Sequence, residues 1–134
     1  MKIKSRDGSV IESGEVLLDT NMLLDTNMLL AVVQFRADVF SPKTFTLSSC
    51  VDELQKIAKK RSNAAMQARA ALTLIKIKNL KIVKTQRKGD KAILDYVKKH
   101  ECAVATNDKE LIEKLKANGI KVCRLRQKKM LVEA

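Results

Sequence analysis

CAVATNDKELIEKLKANGIKVCRL, residues 102–125, decides the fold class. It opens on a short apolar run, Cys102–Thr106, and then changes period. From Asp108 to Asn118, Leu111, Ile112 and Leu115 recur at the spacing of one helical face. Gly119 follows where a C-terminal helix cap belongs, and a second short apolar run, Ile120–Leu125, starts at once. A strand, a helix and a strand joined this tightly imply two parallel strands linked by a right-handed crossover.

Outward from there the same alternation repeats. Apolar runs around residues 16–24, Phe45–Ser48 and Lys81–Lys84 read as further strands. Val51–Lys60 puts Val51, Leu54, Ile57 and Ala58 on one helical face. An Ala-rich helix over 63–78 turns Leu72 and Ile75 inward, and Asp90–His100 carries Ile93, Leu94 and Val97. The pattern predicts one α/β domain with a central parallel sheet of about five strands. Residues 1–14 read as an extension or a short hairpin around Asp7-Gly8, residues 15–126 as the domain, and 127–134 as a basic tail.

Composition narrows the function classes. The chain of 134 residues is 46% apolar and 31% charged, so it reads as a single folded domain. One Tyr, three Phe and no Trp leave an aliphatic core and weaken any platform of stacked bases. Lys and Arg number 27 against 15 acids, a formal charge of +12, which points to a nucleic-acid partner held through phosphates. Cys50, Cys102 and Cys123 lie far apart, and His100 is the only histidine, so no zinc motif is present. The start is polar and charged, unlike a signal peptide, and no apolar run reaches the roughly 20 residues of a membrane span. A cytoplasmic location with reduced cysteines is the expectation.

Four acids, Asp25, Glu53, Asp90 and Asp108, each fall where a predicted strand ends or the next helix begins. Parallel α/β sheets place their sites at these carboxyl ends. Carboxylates converging there repel one another unless a divalent cation holds them, and Mg²⁺ or Mn²⁺ suits all-oxygen ligands. An acidic hole in a basic surface points to phosphodiester cleavage. The first acid is ambiguous because LLDTNM occurs twice in tandem, at Leu17–Met22 and Leu23–Met28. Six residues turn a helix by about 600°, so Asp19 and Asp25 cannot occupy equivalent positions. Asp25 is preferred, since choosing Asp19 inserts Asp25, Thr26 and Asn27 into an otherwise apolar helix.

LLDTN, SSCVDEL, GDKAILDYV and VATND, in this order and context, resemble the PIN-domain ribonucleases over roughly residues 16–126. The resemblance implies a three-layer PIN-like domain and a Mg²⁺- or Mn²⁺-dependent endoribonuclease. It carries the metal-binding and catalytic roles onto Asp25 (alternatively Asp19), Glu53, Asp90 and Asp108, with Asn27 and Thr106 as supporting polar residues. The sequence departs from the family in three places. Lys91 follows Asp90 where many relatives have a second acid, the Ser41–Thr44 connection is short, and the first motif is doubled.

Lys56, Lys59, Lys60, Arg61, Arg87 and Lys88 are candidate RNA contacts, as are Arg124, Arg126, Lys128 and Lys129 near the C-terminus. The ending LRQKK resembles archaeal PIN proteins related to the small-subunit processome nuclease, which implies a role in ribosomal RNA processing. The alternatives are a VapC-like toxin covered by a small protein partner, and a non-catalytic RNA-binding assembly factor on a degenerate fold. A homodimer is a further expectation of the family.

Overall fold

The computed structural model describes residues 3–4, 20–127 and 130–134. Their elements run β1 (Ile3–Lys4), β2 (Met22–Leu24), α1 (Thr26–Phe35), β3 (Thr44–Leu47), α2 (Ser48–Ala58) and α3 (Asn63–Ile77). Then come β4 (Lys81–Val83), α4 (Gly89–Lys99), β5 (Ala103–Ala105), α5 (Lys109–Ala117), β6 (Val122–Arg126) and β7 (Met130–Glu133). The sheet order is β1-β7-β6-β5-β2-β3-β4. The five strands from β6 to β4 are mutually parallel. This is the parallel sheet that the 102–125 stretch predicts, with the βαβ unit β5-α5-β6 at its origin.

Alternation along each strand builds three layers. Met22 and Leu24 of β2 and Ala103 and Ala105 of β5 face α1 and α3, meeting Met28, Leu29, Val32, Ala68, Ala71 and Ile75. Leu23 and Val104 face the other way, onto Ala92, Ile93 and Val97 of α4 and Leu111 and Leu115 of α5. β2 and β5 are buried on both faces, so their residues are continuously apolar. The buried alanines Ala65, Ala68 and Ala71 let α3 approach its neighbours closely, and Ser62 caps it by accepting from the Ala65 amide at 3.1 Å.

Strand order reverses between β2 and β5. From β2 the chain steps outward to β3 and β4, then returns through α4 to β5 on the other side of β2 and proceeds to β6. The carboxyl ends of β2 and β5 therefore flank the topological switch point, where a crevice opens in doubly wound sheets.

The C-terminus departs from expectation. Residues Met130–Glu133 are not tail but strand, running antiparallel to β6 with Leu125 opposite Leu131. Leu131 and Val132 are buried, and Gln127 turns the chain with φ 53. Covering the apolar edge of β6 drives this pairing, and two lysines in front of the short strand concealed it. The Asp7-Gly8 turn lies outside the described residues, whereas Ile3–Lys4 pairs parallel to β7.

Candidate active site

Asp25 is the first residue after β2 and the N-cap of α1, with extended backbone at φ −80 and ψ 174. One carboxylate oxygen accepts from the Met28 amide at 2.7 Å, and the other accepts from the Thr106 hydroxyl, which arrives from the end of neighbouring β5. The side chain is buried. Burial pushes its pKa up to about 7, with the charges of Asp108 and Asp90 adding to the rise, while the bonds from Thr106 and Met28 oppose it. Asp25 of the second motif copy therefore lies in the crevice. Asp19 lies outside the described residues.

Asp108 caps α5, accepting from the amides of Glu110 at 3.0 Å and Leu111 at 3.3 Å. Its own amide donates to Thr106 Oγ1 at 3.1 Å, so one threonine links the two aspartates. Glu53 projects from α2, and its Oε2 accepts from the Thr26 hydroxyl at 3.1 Å. Asp90 lies in the first turn of α4, after Gly89, whose φ of 64 is the left-handed conformation glycine tolerates. Lys114 of α5 reaches Asp90 at 3.6 Å and Glu110 at 3.4 Å.

All four predicted acids, with Thr26, Asn27, Ser49, Cys50, Gly89 and Ile93, line one cavity of about 150 Å³. Burial raises the Cys50 thiol above its usual pKa. Among the described residues no three His, Cys, Asp or Glu side chains converge as a ready coordination shell. The donor chemistry nevertheless fits a hard divalent cation. Four carboxylates share a small space, and the most buried one is held against its charge by burial and by like charges.

Of the two supporting residues, Thr106 joins the carboxylates directly, whereas Asn27 lines the cavity with its side chain exposed. Three participants were not foreseen as such. Thr26 is the middle letter of DTN and binds Glu53. Asn107 of TND fixes the neighbouring strand by accepting from the Leu125 amide at 2.9 Å. Lys114 pairs with Glu110 on its own helix while also reaching Asp90. The first two sit inside motifs already singled out, so the motif letters were a usable signal. Lys114 depends on how α5 packs beside α4.

The basic candidates divide. Lys88 precedes Gly89 at the cavity rim and is exposed, and Arg124 and Arg126 lie toward the carboxyl end of β6. Lys56, Lys59, Lys60 and Arg61 lie on and beyond the C-terminal half of α2, Lys56 about 5 Å and Lys59 about 9 Å of helical rise past Glu53. Arg87 is engaged by Asp95 at 3.0 Å. Lys128 and Lys129 lie outside the described residues. No described helix is long and apolar enough to cross a membrane.

Comparison with known proteins agrees with this geometry. Residues 16–128 match the family described as PIN like domain. Ribonuclease VapC4 of Methanocaldococcus jannaschii is 48% identical over 86 residues, covering 62% of this chain and 66% of that protein. Ribonuclease VapC9 of Archaeoglobus fulgidus is 36% identical over 104 residues, covering 76% of this chain and 75% of that protein. With a strand-end carboxylate cavity at the switch point and a family match spanning most of its length, the chain belongs to the PIN-like domain family.

Proposed function

We propose that this protein is a divalent-metal-dependent endoribonuclease of the VapC-like kind. The observation that carries the proposal is the gathering of Asp25, Glu53, Asp90 and Asp108 around one small cavity of a chain with a net charge of +12. The names of both relatives favour this reading over ribosomal RNA processing, since neither refers to ribosome assembly. Of the LRQKK ending that motivated the ribosomal RNA reading, Leu125 and Arg126 belong to β6 and Gln127 to the turn that follows it. A VapC-like role brings two partners into the proposal, an RNA substrate and a small protein antitoxin that covers the cavity.

Asp25, Asp90, Asp108 and Glu53 would hold Mg²⁺ or Mn²⁺ through oxygen. A cation bound there lowers the pKa of a coordinated water and offsets charge on the leaving oxygen. The protein's own part is positioning. Thr106 and the Met28 amide fix both oxygens of Asp25, Thr26 orients Glu53, and the α5 amides hold one oxygen of Asp108. Lys114 offsets part of the acidic charge and lies where it can turn toward a scissile phosphate. No histidine is needed as a general base, in keeping with the exposed His100 far along α4.

The test is cleavage of a labelled, structured RNA with Mg²⁺ or Mn²⁺, comparing wild type with Asp108→Asn. Asparagine retains an oxygen for the Glu110 and Leu111 amides, so the cap and the fold persist while a ligand charge is lost. Wild type should cut, and the variant should be slower by about 100-fold or more, as for loss of a group central to metal chemistry. Equal activity in the two proteins would exclude the assignment.

A further inference from the structure

A second cavity, of about 260 Å³, adjoins the first along α4 and is lined by Thr85, Arg87, Asp95, Tyr96, Lys99 and His100. None of its residues takes part in the carboxylate cavity, and it differs in chemistry. The rings of Tyr96 and His100 stack with centroids 4.3 Å apart and planes at 21°, and Phe45 supports Tyr96 at 5.4 Å. These are the only tyrosine and the only histidine in the chain. Two cations stand beside them. Asp95 engages the Nε of Arg87 at 3.0 Å, which orients the guanidinium while its terminal nitrogens have no other partner among the described residues. Lys99 supplies a second cation from the last turn of α4.

The two cavities share one framework. α4 contributes Asp90 and Ile93 to the first and Ala92, Tyr96 and Lys99 to the second. The Thr85 amide donates to Ser48 Oγ at 2.8 Å, tying the loop before α4 to the start of α2, whose Ser49 and Glu53 line the carboxylate cavity. From Asp90 the helical rise is about 9 Å to Tyr96 and about 15 Å to the His100 cap, a distance that an extended strand of a few nucleotides bridges. An aromatic pair backed by apolar support and flanked by cations suits a base and its phosphate together.

We propose that this cavity is a nucleotide subsite for single-stranded RNA, in which a base stacks on the outer face of His100 with Tyr96 behind it and Arg87 and Lys99 hold the adjacent phosphate. The subsite rests on the nuclease reading and adds one contact to it: an unpaired base is held a few nucleotides away from the bond that is cut. Scarce aromatic residues argued against a general stacking platform, but one concentrated pair is enough for a single base.

The test uses the full-length untagged protein in EDTA, so that nothing is cleaved. Because each ring type occurs once, the His100 and Tyr96 ring protons report individually by NMR. Adding a short oligoadenylate should shift the His100 ring protons upfield by base ring current, whereas ribose 5-phosphate, with no base, should not. His100→Ala at this exposed helix end should weaken oligoadenylate binding by about tenfold, the scale of one base–aromatic stack, and leave its salt dependence unchanged. Arg87→Gln should flatten that salt dependence. If the RNA binds while the ring signals stay still, the subsite is refuted and the nuclease reading stands. The same holds if ribose 5-phosphate shifts them equally. Absence of any oligoadenylate binding also refutes the subsite, and the Asp108→Asn cleavage comparison then judges the nuclease independently.

Discussion

Asp25→Asn should stabilise the metal-free protein at neutral and alkaline pH, the reverse of the usual outcome for a substitution in a buried site. Asp25 titrates near 7 in the fold because it is buried beside Asp108 and Asp90. Unfolded, it titrates near 4. A group whose folded pKa is raised leaves stability intact below the unfolded value and removes it as pH rises toward the folded one. Between about pH 4 and pH 7 the wild-type protein should therefore lose roughly 4 kcal/mol to this one ionisation. Asparagine carries no such charge. Its carboxamide oxygen can keep the Met28 bond, and its nitrogen can donate to Thr106 Oγ1, a hydroxyl able to accept instead of donate. Allowing about 1 kcal/mol for that rearrangement, the variant gains about 3 kcal/mol near pH 8. For a domain of this size the gain amounts to roughly 10 °C in Tm. The assay is thermal unfolding by circular dichroism in EDTA at several pH values. The variant should melt higher near pH 8, and the two curves should cross between pH 4 and pH 7, leaving the variant lower by about 1 kcal/mol at pH 4. Adding Mg²⁺ or Mn²⁺ should then raise the wild-type Tm by preferential binding to the fold and leave the variant nearly unmoved. A variant less stable than wild type by the same margin at every pH would refute the reasoning, because the cost of burying the Asp25 charge would then be absent.

Other consequences follow from the same contacts. Thr106→Val removes both a donor to Asp25 and an acceptor for the Asp108 amide. It should lower stability by about 1–3 kcal/mol and move the acidic limb of the cleavage profile to higher pH, read by melting and by a pH–rate curve. Leu131→Ala should cost about 2–5 kcal/mol in chemical unfolding, since Leu131 is fully buried in the β6-β7 hairpin, whereas a loose tail would show no loss. Lys114→Gln takes the competing ammonium from Asp90 and should tighten Mn²⁺ binding by calorimetry while slowing RNA cleavage. Unchanged metal affinity in that variant would leave Lys114 a surface pair with no part in the site.

What the sequence disclosed depended on how local each cause was. The 102–125 stretch was readable because its signals are self-contained: a helical period from Asp108, a glycine with φ 72 at position 119, and apolar runs on both sides. The four acids were readable because each one sits at a strand end or in an early turn of a helix, positions set by local pattern. In the tandem LLDTNM, helix periodicity favoured the second copy, which opens α1 with Met28, Leu29 and Val32 on its buried face. Nothing local marks Met130–Glu133 as a strand, because its stability comes from an apolar edge on β6 formed elsewhere in the chain. Lys114 and Asp90 likewise lie 24 positions apart on helices that are adjacent only because α4 and α5 pack on the same face of the sheet. The same logic explains why Lys59, Lys60 and Arg61 looked like part of the site in sequence. They follow Glu53 within eight positions, and α2 carries them about 9 Å or more of helical rise past it. α4 likewise starts at the carboxylate cavity with Asp90 and carries Tyr96, with His100 at its C-cap, along the second cavity.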